Sequence, residues 1–250
     1  MNIVITGVTS GLGKALVNQF QKDIKTNIIG TYRSKQKLSL SKKKIFLFKC
    51  DFSSEKDVKN LIKKIKKFGK IDCVINNHAS LGNLDYNPKK LFFLNYCSIE
   101  YLILKIFKNI KKSKKKLVIN ISSHAHKNIA VEKKIYELSN WDIYKLSKLS
   151  LILFSKKLSN LGLNSISINP GRMKTNFGSS HYLSFFIWLY LFVIGKNPEN
   201  IAEKIYKIIK NNNFKNGCYY SNFKINKFPT LNKKLKNYIK NTINICKIKN

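Results

Sequence analysis

Short runs of apolar and β-branched residues recur along the chain, with helical stretches between them. These runs are Asn2–Thr6, Asn27–Tyr32, Ile45–Cys50, Ile71–Ile75, Lys116–Ile121, Asn164–Asn169 and Cys218–Ser221. Between them, apolar residues repeat with helical spacing, as in the stretch from Val58 to Ile65. Strands that alternate with helices predict an α/β fold, in which parallel strands form one sheet with helices on both faces.

The pattern predicts a Rossmann-type, doubly wound sheet of about seven parallel strands. No Pro/Gly-rich linker or internal repeat divides the 250 residues, so we expect a single domain over residues 1–250. A strand begins directly after Met1, which we interpret as leaving no room for a signal peptide.

Three further stretches have helical periodicity. Lys89–Lys111 predicts one long amphipathic helix, and Ile201–Ile209 and Leu231–Ile245 predict two helices near the carboxyl end. The long helix carries Asn95 inside an apolar run. A buried asparagine is costly unless it is fully hydrogen-bonded, so Asn95 is either structural or catalytic.

Ten consecutive apolar residues, Phe185–Ile194, are too few to span a bilayer. As a helix they would be apolar on every side, which one face of a surface helix cannot satisfy. We therefore expect residues 178–197 to act as a lid over a substrate pocket. The outward side of residues 182–194 would meet protein, a dimer partner or a membrane interface.

The net charge of +36 suggests a polyanionic partner at first sight. Only two of the basic residues are arginines, however, and no nucleic-acid recognition motif is visible. We interpret the lysines as solvated surface that reflects codon bias, and expect no nucleic-acid partner. The five scattered cysteines favour reduced thiols in a cytoplasmic protein, and no cluster has metal-ligand spacing.

A glycine-rich turn follows the first strand directly and precedes a helical stripe. Glycines let the backbone approach a pyrophosphate, and the unpaired N–H groups of a helix N-terminus attract that group. The spacing is Gly-x3-Gly-x-Gly and predicts a dinucleotide site. Its residues are Gly7, Thr9, Ser10, Gly11, Leu12 and Gly13.

The residue after the second strand favours NADP(H) over NAD(H). Arg33 stands there, followed by Ser34 and Lys35, and no acidic residue is present. An acidic side chain at this place binds the ribose hydroxyls of NAD, whereas a basic one accommodates the 2′-phosphate of NADP. The alternative is a surface arginine without this role.

Polar side chains also follow the third and fourth strands. The carboxylate of Asp51 could accept a hydrogen bond from the adenine amino group, or cap the helix that starts near Ser53–Glu55. Asn76 and Asn77 come at the end of the fourth strand. We expect their amides to tie adjacent strand ends together and to shape the cofactor floor.

Tyr144 and Lys148 stand four residues apart, so on a helix they share one face. A tyrosine hydroxyl has an ordinary pKa of about 10, and a nearby ammonium lowers that pKa. Ser122 and Ser123 end the fifth strand, where ligands of an open parallel sheet bind. These residues predict acid/base chemistry beside a nucleotide cofactor.

The order of these motifs resembles the short-chain dehydrogenase/reductase family, single-domain type, over almost the whole chain. The similarity covers Thr6–Gly13, Asp51, Asn76–Ala79, Asn95, Ser122–Ser123, Tyr144–Lys148, and Pro170-Gly171 with Thr175.

This resemblance implies a role for each matching residue. Tyr144 would exchange a proton with the substrate, Ser123 would hydrogen-bond the substrate oxygen, and Lys148 would lower the pKa of the tyrosine and bind the nicotinamide ribose. Asn95 would anchor a water in the proton relay. Pro170, Gly171 and Thr175 match the stretch that contacts the nicotinamide.

One position departs from the family pattern. The usual Asn-Asn-Ala-Gly is here Asn76-Asn77-His78-Ala79, and the histidine would either crowd the cofactor floor or turn outward. Softer motifs, among them Ser122–His126 and Gly217–Tyr219, resemble the retinol dehydrogenase-like branch, which includes protochlorophyllide reductase relatives. That likeness implies bulky lipophilic substrates and NADP(H). We expect His124 and His126 to be pocket or loop residues without a catalytic task.

The sequence therefore predicts an NADP-dependent oxidoreductase that transfers a hydride between nicotinamide and a carbonyl or alcohol of a lipophilic substrate. The expected assembly is a homodimer or homotetramer. Two alternatives stay open at this point: a catalytically silent NADP-binding sensor or scaffold, and a membrane-surface binder driven by the lysines.

Overall fold

A computed structural model describes residues 1–34, 44–82, 87–127, 129, 133–174 and 195–248 of the protein. In these residues eight strands form one sheet. They are β1 (Asn2–Ile5), β2 (Asn27–Tyr32), β3 (Ile45–Lys49), β4 (Cys73–Asn76), β5 (Leu117–Ile121), β6 (Asn164–Asn169), β7 (Tyr219–Ser221) and β8 (Lys224–Asn226). Their order is β3-β2-β1-β4-β5-β6-β7-β8. The strand order reverses beside β1, which opens a crevice at the carboxyl ends of β1 and β4.

Strands β1 to β7 pair in parallel throughout, which confirms the predicted set of about seven parallel strands. Strand β8, which pairs with β7 in the antiparallel direction, was not predicted from the sequence. The two strands are joined by Asn222 and Phe223, both in the left-handed region with φ of 51° and 67°. All three residues of β8 are exposed, so no alternation of buried and exposed positions could reveal it.

Helices cover both faces of the sheet. They are α1 (Gly11–Phe20), α2 (Glu55–Lys66), α3 (Pro88–Phe92), α4 (Ser98–Lys105), α5 (Phe107–Lys111), α6 (Asn140–Asn160), α7 (Pro198–Asn211) and α8 (Lys233–Cys246). One core, which contains Leu16 of α1 and Ile205 of α7, lies on one face. A second core, with Leu61 of α2 and Phe154 of α6, lies on the other. The predicted doubly wound fold is confirmed.

The predicted single helix over Lys89–Lys111 is wrong in detail. Helix α3 passes at Phe92 into a π-helical segment, Phe93–Cys97, which continues as α4. The amide of Ser98 donates to the carbonyl of Phe93, five residues back, where a regular α-helix would use Leu94. A second interruption at Ile106 separates α4 from α5. Hydrophobic periodicity did not reveal either change, because the apolar face continues through both.

The two helices expected near the carboxyl end are present as α7 and α8, with bounds a few residues different from the prediction. Residues 178–194 of the expected lid, which include the apolar run, lie outside the described residues. On either side of that stretch, Met173 and Lys196 form a parallel bridge. Among the described residues, no helix is both long enough and apolar enough to cross a membrane.

Candidate active site

The glycine turn lies between the end of β1 and the N-terminus of α1. Gly7 and Gly11 have φ of 71° and 50°, a backbone conformation that L side chains rarely adopt. Gly13 is required for a different reason: a Cβ there would lie 1.9 Å from the carbonyl oxygen of Gly7. The turn therefore holds the strand end and the helix start at a separation that only glycine permits.

The N-terminus of α1 points into this turn. Ser10 is its N-cap, yet the serine side chain makes no capping hydrogen bond. Lys14 is the first residue whose amide bonds back into the helix, to the Ser10 carbonyl. The N–H groups of the first turn are thus available to an anion, as a phosphate site requires. Thr9 lies in the turn, and Leu12 is buried and anchors it to the core.

Asn76 and Asn77 tie the strand ends together, as predicted. The Asn76 amide donates to the Asn120 side chain at 2.7 Å and so joins β4 to β5. The Asn77 side chain donates to the carbonyl oxygens of Thr6 and Gly7, both at 3.0 Å. The floor of the crevice is therefore attached to the glycine turn itself.

Asp51 and Arg33 lie at the carboxyl ends of neighbouring strands. Arg33 follows β2 directly and is exposed. Asp51 follows β3, and its carboxylate accepts from the Ser53 amide at 2.8 Å. The N-cap of α2 is Ser54, which accepts from the Asp57 amide. The capping alternative thus applies to Ser54 and not to Asp51.

Of the two predicted orientations of His78, the outward one is wrong, because both ring nitrogens are bonded inside the protein. Its Nδ1 lies 2.9 Å from Thr6 Oγ1, and its Nε2 lies 3.0 Å from the carbonyl oxygen of Leu94 in the π-helical segment. The ring stacks on Phe52 with 3.6 Å between ring centroids. Burial lowers the pKa of His78 to about 3, and the charge of Lys148 acts in the same direction. The ring is therefore neutral at physiological pH.

Asn95 lies within the π-helical segment and is 1% exposed. Its side-chain oxygen accepts from the Ser80 amide, and its side-chain nitrogen donates to the Ser80 carbonyl, both at 2.8 Å. The side chain therefore satisfies its buried polar atoms on the loop after β4, which supports a structural contribution of this residue.

Ser123, Tyr144 and Lys148 come together at the carboxyl end of β5. The Tyr144 side chain is hydrogen-bonded to Ser123. The ammonium nitrogen of Lys148 lies 5.3 Å from the centroid of the Tyr144 ring and donates to the carbonyl oxygen of Ile121 at 2.9 Å. Ser122 donates to the backbone carbonyl of Lys148, which fixes α6 against the strand end.

The expected lowering of the Tyr144 pKa by Lys148 is not what this structure contains. Burial raises the pKa of Tyr144 to about 12, and the hydrogen bond from Ser123 offsets only part of that rise. Burial also lowers the pKa of Lys148 to about 7. The lysine is therefore only partly charged near neutral pH, and a neutral hydroxyl is the resting form of Tyr144.

Pro170 and Gly171 follow β6 and border the same crevice. Gly171 has φ of 88°, and a Cβ there would lie 2.2 Å from the side-chain oxygen of Asn222 in the β7–β8 turn. That asparagine also accepts from the Lys196 ammonium at 2.9 Å. Thr175, the third residue predicted for this stretch, lies outside the described residues.

Two histidines follow Ser123 on a short 3₁₀ turn. His126 is buried, and its Nδ1 lies 2.8 Å from the Ser123 carbonyl oxygen, whereas His124 is exposed. Among the described residues, no group of three or more His, Cys, Asp or Glu side chains could hold a metal ion.

Trp141 was not singled out from the sequence as a contact of Tyr144. Its ring stacks on Tyr144 with 5.5 Å between centroids and 17° between planes, and 52% of the residue is exposed. The two residues are three apart on α6, so the helical spacing was available as a signal. That spacing alone could not predict the contact, because the sequence does not give the orientation of the helix.

The sequence of this chain is similar to those of known oxidoreductases. The family model for short chain dehydrogenases matches residues 1–182. An uncharacterised oxidoreductase of Saccharomyces cerevisiae is 30% identical over 189 residues, which cover 70% of this chain and 71% of the yeast protein. Farnesol dehydrogenase of Aedes aegypti is 26% identical over 192 residues, which cover 69% of this chain and 77% of the mosquito protein.

Solved structures share the fold. A 3-alpha-hydroxysteroid dehydrogenase from Pseudomonas, crystallised with NADH, has a TM-score of 0.71 at 15% identity and covers 88% of this chain and 94% of its own. A short chain dehydrogenase/reductase from Saccharomyces cerevisiae has a TM-score of 0.70 at 23% identity, over 95% and 98% of the two chains. The narrower likeness to the retinol dehydrogenase-like branch stays a prediction. The glycine turn, the Ser123–Tyr144–Lys148 cluster and the family match together show that this chain belongs to the short-chain dehydrogenase/reductase family, whose members are oxidoreductases acting on CH–OH groups.

Proposed function

We propose that this protein is an NADP(H)-dependent oxidoreductase that interconverts a carbonyl and an alcohol on a lipophilic substrate, with Tyr144 as the acid/base. The observation that carries the proposal is the position of Ser123, Tyr144 and Lys148. They meet at the carboxyl end of β5, in the same crevice as the glycine turn.

The residues present fit a dinucleotide. The N-terminus of α1 and the close approach of Gly13 to Gly7 form a cradle for phosphates, and Asn77 holds its floor. When bound, the nicotinamide supplies the hydride transfer. Lys148 would bind the nicotinamide ribose, and Pro170 and Gly171 would contact the ring.

Each catalytic side chain has a separate task at the substrate oxygen. The Ser123 hydroxyl donates a hydrogen bond to that oxygen, and Tyr144 exchanges the proton. Because burial raises the pKa of Tyr144 to about 12, its hydroxyl carries a proton at neutral pH and is ready to act as an acid. Carbonyl reduction requires this protonated form. In the direction of alcohol oxidation, a charged Lys148 stabilises the phenolate.

Asn95 is proposed to support the proton relay, in which it would anchor a water. Its side chain is already bonded to the backbone of Ser80. Through these bonds Asn95 would also hold the π-helical segment in the conformation that the relay needs. The water and the relay are both part of the proposal.

The surroundings of Tyr144 support a lipophilic substrate. Trp141 presents half of its surface to solvent while its ring lies flat on Tyr144, which leaves an apolar wall beside the reacting group.

All five cysteines carry free thiols, which supports the cytoplasm as the compartment. Peripheral membrane contact through residues 182–194, and a homodimer or homotetramer, are proposed from the sequence alone.

Cofactor titration tests the proposal. We expect NADPH to bind at least about tenfold more tightly than NADH, a gap of roughly 1.4 kcal/mol, because the Arg33 guanidinium meets the 2′-phosphate. Arg33→Ala should remove that preference. Lys25→Ala is the matched control, because it removes one exposed charge near the opposite end of β2. Protein fluorescence or NADPH fluorescence follows binding.

A panel of aliphatic and aromatic aldehydes and ketones, with NADPH consumption as the readout, then tests the reaction. Reduction of long-chain or aromatic carbonyls in preference to short polar ones would support the lipophilic assignment. If neither nucleotide binds, the oxidoreductase proposal is wrong. If Arg33→Ala and Lys25→Ala behave alike, the assignment of the 2′-phosphate site to Arg33 is wrong.

A further inference from the structure

His78 connects two parts of the site, the glycine turn and the π-helical segment. Its ring lies between Thr6, at the start of the glycine turn, and Leu94, in the π-helical segment. We call these three residues the His78 bridge. The ring is held from the side by its stacking on Phe52, which is itself 5% exposed.

The hydrogen bonds determine which ring nitrogen carries the proton. Thr6 Oγ1 accepts from the amides of Asn77 and His78 at 2.9 and 3.1 Å. Its own hydrogen must therefore be donated elsewhere, and His78 Nδ1 at 2.9 Å is the acceptor in range. In a neutral ring the proton then lies on Nε2, which donates to the Leu94 carbonyl at 3.0 Å.

The Leu94 carbonyl is the oxygen that the π-helical turn leaves without its usual α-helical donor. The Ser98 amide bonds to Phe93, and two side chains reach Leu94 in its place. They are His78 through Nε2 and Ser98 through its hydroxyl, at 3.0 and 2.9 Å. These two side chains replace the hydrogen bond that the Ser98 amide does not make to the Leu94 carbonyl. Asn95 lies in the same π-helical segment, and its side chain bonds to the Ser80 backbone.

The other end of the bridge acts on the glycine turn. A Cβ on Gly7 would lie 2.9 Å from the Cβ of His78, so the histidine backbone packs directly against the turn. Thr6 links the two through its hydroxyl and is fully buried. Movement of the histidine therefore changes both the phosphate cradle and the π-helical segment.

We propose that His78 is a positioning residue, which holds the glycine turn and the π-helical register of Asn95 in one arrangement through its acceptor at Nδ1 and its donor at Nε2. The inference rests on the proposed oxidoreductase function for its turnover readout. It concerns a position where this chain departs from the alanine that the family resemblance leads one to expect.

Two substitutions separate the ends of the bridge. In His78→Asn the amide group reaches the place of Nδ1 and can accept from Thr6, but it is too short to donate to Leu94. In His78→Gln the longer amide reaches the place of Nε2 and can donate to Leu94. Thr242→Val is the control for a general loss of stability, because it removes a buried hydroxyl bonded to the Tyr238 carbonyl in α8.

Each variant is measured as the full-length protein with NADPH and with the carbonyl that the wild type reduces fastest. We expect His78→Asn to bind NADPH like the wild type and to lose at least about tenfold in kcat. His78→Gln should keep kcat within about threefold and bind NADPH several-fold more weakly. Thr242→Val should change neither constant, although its Tm falls.

Nitrogen-15 NMR of the wild-type histidine rings measures which ring nitrogen of His78 is protonated, and this measurement does not depend on turnover. The inference predicts a neutral His78 ring at pH 7 with its proton on Nε2. A proton on Nδ1, or equal losses of kcat in the Asn and Gln variants, would overturn it. Variants that lose only Tm, as Thr242→Val does, would overturn it as well. If the wild type reduces no carbonyl, the proposed function fails, while the NMR result and the NADPH affinities still decide the role of His78.

Discussion

Replacing Lys148 by methionine should stabilise the cofactor-free protein at neutral pH and change how its stability depends on pH. The side chain is buried, with 3% of the residue exposed, and its amine donates to the Ile121 carbonyl. Burial lowers the pKa of Lys148 from an ordinary 10.5 to about 7. Methionine has a similar length and no charge to desolvate.

The sign follows from which state binds the proton. Between pH 7 and 10.5 the unfolded chain keeps a proton on this lysine that the folded chain has released. The free energy of unfolding of the wild type therefore rises with pH across this window, by up to roughly 1.4 kcal/mol per pH unit. The penalty is fully present below pH 7 and vanishes above 10.5.

The same relation yields the size of the effect. The burial penalty is on the order of 4 kcal/mol at pH 7 and falls to about 1 kcal/mol at pH 9.5. Loss of the hydrogen bond to Ile121 costs Lys148→Met about 1–3 kcal/mol at every pH. The stability advantage of the variant over the wild type should therefore shrink by roughly 3 kcal/mol between the two pH values, whatever the hydrogen bond costs.

Urea unfolding at pH 7 and 9.5, without cofactor, measures this difference for the wild type and Lys148→Met. Lys156→Met, an exposed position on the same helix, controls for the removal of one lysine charge. A stability difference between Lys148→Met and wild type that is the same at both pH values would refute the reasoning. It would mean that the lysine does not change its proton binding on folding.

Two further predictions concern the acid/base and the cradle. Tyr144→Phe should leave NADPH affinity within about threefold and reduce turnover at least about 100-fold, because only the proton-exchanging hydroxyl is removed. Unchanged turnover in a steady-state assay would eliminate Tyr144 as the acid/base. Gly13→Ala should abolish NADPH binding and lower the free energy of unfolding by about 2–3 kcal/mol, because its Cβ would lie 1.9 Å from the Gly7 oxygen. Gly69→Ala is the control, since its φ is +66° but no atom lies within 4 Å of the added Cβ. Equal NADPH affinity in these two glycine variants would show that the close approach at Gly13 does not shape the site.

Much of the fold could be predicted from the sequence because its strands and helices depend on local patterns of apolar residues. A buried parallel strand needs a run of apolar residues, and a helix needs an apolar stripe, so β1 to β6 and the helices on both faces could be predicted in order. The glycine turn was readable for the same reason, since a positive φ and a close backbone approach both exclude other residues. Strand ends and helical spacing also bring Ser123, Tyr144 and Lys148 to one place, as predicted, while their catalytic roles stay a prediction.

Strand ends and helical spacing predict that Ser123, Tyr144 and Lys148 meet, whereas their protonation and the other contacts of the site depend on how the sheet and helices pack. The pKa of Tyr144 moves upward and not downward because burial, which no spacing reveals, outweighs the hydrogen bond from Ser123. The π-helical segment and the His78 bridge depend on hydrogen bonds between residues 16 and 72 positions apart in the chain. Such long-range bonds compete with local helix geometry, and which of them forms is settled only when the sheet brings the two segments together.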